Sequence, residues 1–179
     1  LDGTAHFAAG REPFGTMVAL AADGITIGSW IFNPVQNLMF TAAPGEGAVV
    51  TDGQGARQEL KTSDPSGTPI AGLATQFMTP ALREATTARG AEAFELVPIP
   101  RCAAEHYPRL CRSENHVALF QRTLPWDHAA GALLLTLHVA ADPARIDGVQ
   151  LAGHDAVDPA LQRFTAKVTR VGEADKIGR

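Results

Sequence analysis

The sequence predicts a mixed α/β chain in which an antiparallel meander precedes a layer of alternating helices and strands. Between Thr16 and Thr62, apolar and β-branched runs alternate with turn residues at fairly even spacing. Beyond Pro69 the apolar residues instead recur at helical spacing, with short β-rich runs between them. The chain has 179 residues, 45% hydrophobic and 19% charged, which suits one globular domain with a sizeable core. It contains no uninterrupted apolar run of the ~18 residues that a membrane span requires.

The meander is justified turn by turn. Runs at 16–21 and 25–32 flank Ala22-Asp23-Gly24, whose Asp-Gly is a hairpin signal. Asn33-Pro34 ends the second run, because proline has no N–H to give to a ladder. Runs at 38–43 and 47–51 are separated by Pro44-Gly45-Glu46, and Asp52-Gly53-Gln54-Gly55 leads to a short run at 59–62. Four or five antiparallel strands are expected. Ser63-Asp64-Pro65-Ser66-Gly67-Thr68-Pro69 lacks periodicity and is rich in turn residues, so it reads as a linker between two subdomains.

After the linker we expect helices near 80–89 and 103–112, strands at 94–99 and 117–121, and a helix from Asp127 to about His138. A last helix signal lies in the tail, with Asp158 as N-cap, Pro159 at the first helical position, and Leu161, Phe164 and Val168 on one face. The expected organisation is 1–65 for the meander, 66–141 for the α/β part and 142–179 for a divergent tail.

The net charge of −4, with no basic run, excludes the electrostatic footprint of a nucleic-acid or anionic-membrane binder. Small molecules or proteins are the expected partners. The two cysteines, Cys102 and Cys111, would lie ~13 Å apart along one helix, too far for a disulfide. A reducing, cytoplasmic setting follows as the default. The six histidines form no sequence cluster of metal-ligand spacing. The chain opens on Leu1-Asp2-Gly3, without an initiator Met or a signal peptide, and reads as though it begins within a longer sequence.

Two stretches could carry chemistry. In Leu1-Asp2-Gly3-Thr4-Ala5-His6-Phe7, a carboxylate precedes a glycine that admits close approach and a hydroxyl that can hold water, the parts of a metal and phosphate corner. The same residues also make an ordinary Asp-Gly turn. In Trp126-Asp127-His128-Ala129-Ala130-Gly131, Asp127 stands at the expected N-cap of a helix with a small opening turn, where a carboxylate can meet a cation. The bland alternative is a simple cap with Trp126 as a core anchor. His128 reads either as a substrate contact or as a partly exposed first-turn residue, since a helix N-terminus disfavours added positive charge.

Taken together, Leu1-Asp2-Gly3-Thr4 with Phe7, the meander, and Trp126-Asp127-His128-Ala129-Ala130-Gly131 resemble the inositol monophosphatase family. Its first motif reads Asp-Pro-(Ile/Leu)-Asp-Gly-Thr-x-x-Phe and its second Trp-Asp-x-Ala-(Ala/Gly)-(Gly/Ala). The segment 17–34, the turn Gly45-Glu46-Gly47-Ala48 and the helix start at Cys102-Ala103-Ala104 also look like family counterparts, so the resemblance runs from Leu1 to about Leu135. It implies a layered α/β/α/β/α sandwich of the inositol monophosphatase and fructose bisphosphatase type, with the N-terminal part missing. The implied activity is Mg²⁺-dependent hydrolysis of the phosphate monoester of a small polyol or sugar. The resemblance assigns Asp2 and Asp127 to metal binding, with Asp127 also touching the substrate hydroxyl, and Leu1 to metal binding through its backbone carbonyl. Gly3 and Thr4 match positions that meet the phosphate, the Thr4 hydroxyl also orienting the attacking water, and Ala103 matches a substrate-pocket position. A homodimer is common in the family.

Several positions depart from the family pattern. Arg101 and Cys102 stand where many members have Gly-Thr or Gly-Ser, and Leu137-His138-Val139-Ala140 where Glu-Ala-Gly-Gly is usual. The family's upstream metal-binding Glu and the Asp-Pro before the first motif are not in this chain. The chain as written is therefore expected to be inactive, and the competing reading is a non-catalytic remnant that binds a ligand or protein through the same scaffold. An exposed apolar face on the meander is expected as well.

Overall fold

The computed structural model describes residues 1–61, 63 and 65–139. The expected tail helix at Asp158, and the tail 142–179 as a whole, lie outside the described residues. Element order is α1 (Thr4–Ala8), β1 (Thr16–Ala22), β2 (Ile25–Asn33), β3 (Leu38–Ala43), β4 (Gly47–Thr51), β5 (Arg57–Glu59), β6 (Ile70–Ala74), α2 (Pro80–Ala93), β7 (Glu95–Val97), α3 (Ala103–Cys111), β8 (Val117–Phe120) and α4 (Pro125–Val139).

The meander forms as expected, a five-stranded sheet in the order β1-β2-β3-β4-β5 with antiparallel neighbours. Asp23 and Gly24 both have positive φ, 51° and 77°, which matches the right-handed twist of the flanking strands in a two-residue hairpin. Strand alternation decides which residues are buried. Ser29, Ile31, Phe40, Ala42 and Ala48 point to the core, while Val18, Leu20 and Trp30 stand exposed on the other face. The last strand is Arg57–Glu59 rather than 59–62. Its short ladder to β4 sets the register, and Leu60 beyond it turns inward to the core.

The second sheet is three-stranded and parallel, in the order β7-β6-β8. Its central strand, Ile-Ala-Gly-Leu-Ala, is not among the expected elements. Covered on both faces, it has no polar alternation and little β-branching to announce it. Leu73 meets α2 at Gly90, and Gly72 lies against His106 of α3, so successive residues face opposite layers.

Between the two sheets lie α3 and α4, built on the fully buried Tyr107, Cys111 and Leu134 packed with Ile31 and Phe40. The layers are thus the meander, α3 and α4, the parallel sheet and α2. Two buried polar ties join the meander to this middle layer. The Ser29 hydroxyl donates to the Ala130 carbonyl at 2.7 Å, and the Asn33 amide donates to Glu105 Oε2 at 2.9 Å. Glu105 Oε1 accepts from Arg109 Nε at 2.8 Å, so the buried carboxylate is paired as its burial demands. Cys102 and Cys111 are both free and buried. Among the described residues no helix is long and apolar enough to cross a membrane.

Candidate functional site

Asp2 is positioned by backbone pairing. Its N–H donates to the Gly15 carbonyl at 2.7 Å and its carbonyl accepts from the Gly15 N–H at 3.1 Å, a single antiparallel bridge at the mouth of the meander. The chain then turns through Gly3, at φ 73°, into α1, which the sequence reading does not anticipate. Gly3 is required twice over: by that φ, and because a Cβ would come within 2.6 Å of the Pro13 carbonyl oxygen.

The Asp2 carboxylate accepts two backbone N–H groups. Oδ1 takes that of Gly3 and Oδ2 that of Ala104, each at 2.8 Å. The second bond replaces a local cap, since Cys102 at the N-cap of α3 makes no side-chain capping bond. A carboxylate at this helix start also complements the dipole of α3.

Asp127 is not an N-cap. The last helix starts at Pro125, and Asp127 lies in its first turn with its N–H on the Leu124 carbonyl at 3.0 Å. Proline is well suited to begin that helix because its missing N–H is not needed there. Burial raises the Asp127 pKa above the ordinary carboxylate value, the Asp2 charge adds to this, and Arg122 partly opposes it. The alternative reading of Trp126 as a core anchor fails, because its side chain is 70% exposed.

The exposed-residue reading of His128 fails, while its ring borders the cleft beside Asp127. The residue is buried, with Nε2 donating to the Arg122 carbonyl at 3.1 Å and Nδ1 accepting from the Tyr107 hydroxyl at 2.9 Å. The carbonyl can only accept, so the proton resides on Nε2 and the tyrosine donates. Desolvation lowers the pKa of His128, and the neutral ring fits this pair of bonds. Burial likewise pushes His106 down to about 4 and raises the Cys102 thiol, the latter reinforced by the Asp2 charge, so Cys102 is an inert thiol.

These elements enclose a cleft of about 460 Å³. Asp2, Gly3, Thr4, Ala103 and Asp127, five of the positions expected from sequence, line it together although two lie about a hundred residues or more from the other three. Leu1 is not among the lining residues, and its side chain is exposed. The sequence reading does not single out Phe77, His106, Gln121 or Arg122, which also line the cleft. Their common signal is position just past the carboxyl ends of parallel strands, or on the helix facing them, where α/β sheets form ligand crevices. That signal depends on β6, which the sequence pattern does not reveal.

Comparison with known proteins identifies the family and the fold. Residues 1–137 match the model of the inositol monophosphatase family. The chain belongs to the inositol monophosphatase family. An inositol-1-monophosphatase of Mycobacterium leprae (strain TN) is 29% identical over 181 residues, covering 92% of this chain and 61% of that protein. The chain thus spans less than two thirds of that relative's length. Among solved structures, Mycobacterium tuberculosis SuhB superposes with a TM-score of 0.68 at 20% identity, over 91% of this chain and 69% of that one. Inositol monophosphatase-II from Staphylococcus aureus MSSA476 gives 0.63 at 22% identity, over 76% and 52% respectively. At these identities the superpositions establish the fold, a layered mixture of sheets and helices shared with inositol monophosphatase structures.

The close approach of the two central helices has a physical basis in Gly131. A Cβ at that position would fall inside the ring of Tyr107, so the glycine lets α4 approach α3 closely enough for the Tyr107–His128 bond. The family-divergent Arg101 has φ 52°, a left-handed conformation that glycine adopts without cost.

Proposed function

We propose that the cleft belongs to a metal-dependent phosphate monoester hydrolase acting on a small polyol or sugar phosphate, with Mg²⁺ as the cofactor. The observation that carries this reading is the convergence of Asp2 and Asp127 on one cleft beside Gly3 and Thr4. The donor set suits the ion, because Mg²⁺ is commonly bound by one or two carboxylates, with waters and substrate phosphate completing its shell. Burial first, and the Asp2 charge second, raise the pKa of Asp127, and a cation bound beside it would offset both. Asp2 and Asp127 would hold the ion, with the Leu1 carbonyl as a further oxygen donor. Bound there, it supplies charge neutralisation at the phosphoryl oxygens and acidifies a water.

The protein's own groups have separate tasks. Gly3, with no side chain, leaves room for the phosphate, and the exposed Thr4 hydroxyl offers a hydrogen bond to it and to the attacking water. Ala103 borders the space for the leaving group, and Asp127 accepts a hydrogen bond from its hydroxyl. Among the described residues no group of three or more His, Cys, Asp or Glu side chains is placed to hold a metal. We therefore expect this 179-residue chain to bind Mg²⁺ and phosphate without turning over an ester.

Thermal unfolding of the purified chain with Mg²⁺ and inorganic phosphate tests the reading. The melting temperature should rise with both together, and Asp127→Asn should abolish the rise. No rise, together with an inert Asp127→Asn, would overturn the metal site in favour of a non-catalytic binding module. Phosphate release at an ordinary enzymatic rate would overturn the expected inactivity.

A further inference from the structure

The two edges of the five-stranded meander differ in kind. At one edge β5 is three residues long and charged, with Glu59 in an ion pair to Lys61 at 3.1 Å, the form that keeps an edge from recruiting another strand. At the other edge β1 runs for seven residues, Thr-Met-Val-Ala-Leu-Ala-Ala, with neither a charge nor a proline. Among the described residues its only partner strand is β2. The one irregularity in that ladder does not bend β1. Leu20 pairs with Gly28 and Ala21 with Thr26, so the extra residue, Ile27, belongs to β2.

The open edge has a defined length and phase. Gly15 turns both its N–H and its C=O to Asp2, away from β2, so the bridge closes the edge just before Thr16. By strand alternation Met17, Ala19 and Ala21 direct their backbone groups to the same open side. The Asp23-Gly24 turn ends the edge just after Ala22. On the outer face, Val18 and Leu20 are each 52% exposed and Trp30 is 40% exposed. Val18 stands opposite Trp30, whose indole lies over Gly28, the residue opposite Leu20, so these residues form one apolar surface running up to the edge.

We propose that β1 is a docking edge for β1 of a second copy of this chain, paired antiparallel about a two-fold axis at Ala19. This register uses the whole open stretch, since Thr16 then faces Ala22 and Met17 faces Ala21 of the second copy. It also matches the phase of the edge. Met17, Ala19 and Ala21 all fall in hydrogen-bonded positions, and their three pairs exchange about six backbone bonds. Val18 meets Leu20 of the second copy on the outer face, an apolar cross-strand pair that the symmetry repeats. With no charge on β1, apposing two copies brings no like charges together along the strand. A strand of this length spans only ~24 Å, which places the contact among small interfaces below about 1,200 Å². The dimer is therefore weak, with a dissociation constant in the micromolar range. The inference is independent of the reading of the cleft.

Sedimentation velocity of the purified chain, at concentrations up to about 1 mM, tests the association. A monomer–dimer equilibrium is expected. Leu20→Lys puts a charge on the edge at an exposed position and should weaken the dimer about tenfold or more, whereas Val35→Lys, exposed but beyond β2, should leave it unchanged. Oxidative cross-linking reads the register directly, because the native Cys102 and Cys111 are buried. Ala19→Cys would face its own counterpart at a Cα separation of about 5.5 Å, within disulfide range, and should cross-link readily. Ala22→Cys would lie ~20 Å from its counterpart and should not. A chain that stays monomeric throughout overturns the proposal and leaves the edge to a strand of other origin. A dimer indifferent to Leu20→Lys, cross-linking at Ala22 in preference to Ala19, or open-ended growth without a dimer would each overturn it as well.

Discussion

Asp2 and Ala104 are joined by a 2.8 Å hydrogen bond across 102 residues, from the start of α3 to a carboxylate at the mouth of the meander. The same side chain is the first candidate metal ligand, so stability and site geometry share one group. Asp2→Ala leaves the Ala104 and Gly3 N–H groups without this acceptor. The loss should cost about 1–2 kcal/mol, the range for a removed helix cap. Urea titration in the absence of divalent cations checks it, and an unchanged midpoint would contradict the capping role.

Gly131→Ala should be more damaging than its size suggests. The added methyl would occupy the Tyr107 ring, forcing α4 away from α3 in the middle of the core. Overpacking of this kind costs roughly 1–3 kcal/mol, and more where neither backbone can yield. Circular dichroism melts should show a lower transition, and the Tyr107–His128 hydrogen bond should break as the two helices part.

Tyr107→Phe isolates the polar part of that pairing. It keeps the ring stacked near Phe120, with centroids 5.5 Å apart, and removes only the donor to His128 Nδ1. A buried acceptor left unsatisfied costs about 1–3 kcal/mol. Because the His128 ring also lines the cleft beside Asp127, this variant should weaken phosphate-dependent stabilisation as well as the fold. Chemical denaturation with and without phosphate separates the two effects.

Much of this architecture is legible in the sequence where local chemistry decides it. The Asp23-Gly24 turn, the Pro34 stop and the Pro44-Gly45-Glu46 turn place β1 to β4 within a residue or so, because backbone conformation at those positions allows few alternatives. The strand β6 is not legible, because Ile-Ala-Gly-Leu-Ala is covered on both faces and carries no alternation. The helix α1 follows a left-handed Gly3 instead of a side-chain cap, so it has no sequence start signal. Asp2 and Asp127 can be found as motif residues. That Asp2 caps α3, and that His128 is buried between Tyr107 and Arg122, depends on contacts through space that periodicity does not encode.

Acid should destabilise the protein through its buried histidines. His106 is 2% exposed, its Nε2 has no partner among the described residues, and burial, then Arg109 and His128, lower its pKa from 6.5 to about 4. The unfolded chain binds that proton more readily, so stability is full above about pH 6.5 and falls as pH drops toward about 4. One such group contributes a slope of at most about 1.4 kcal/mol per pH unit. His128 and His138 are shifted in the same direction and steepen the curve. Urea unfolding across this range should show a shallower acid limb in His106→Leu, and parallel limbs would argue against the assignment.

Asp127 responds to pH in the opposite sense, and this distinguishes a metal ligand from a structural carboxylate. Its raised pKa, caused by burial and then by Asp2, means that the folded state holds the proton more tightly than the unfolded chain does. Stability from this group is therefore lost as pH rises from the ordinary carboxylate value through the raised one, and at neutral pH the ionised side chain is a liability. Asp127→Asn should consequently raise the melting temperature in chelator at neutral pH, and the gain should vanish in acid, where Asp127 is itself neutral. Excess Mg²⁺ should reverse the order, because only the carboxylate gains from the ion and binding to the native state stabilises it by mass action. Melting curves of both proteins in chelator and in Mg²⁺ make the comparison. A crossing of the two orders supports a cation at Asp127, and Asp127→Asn remaining the more stable in both media would remove it from the metal site.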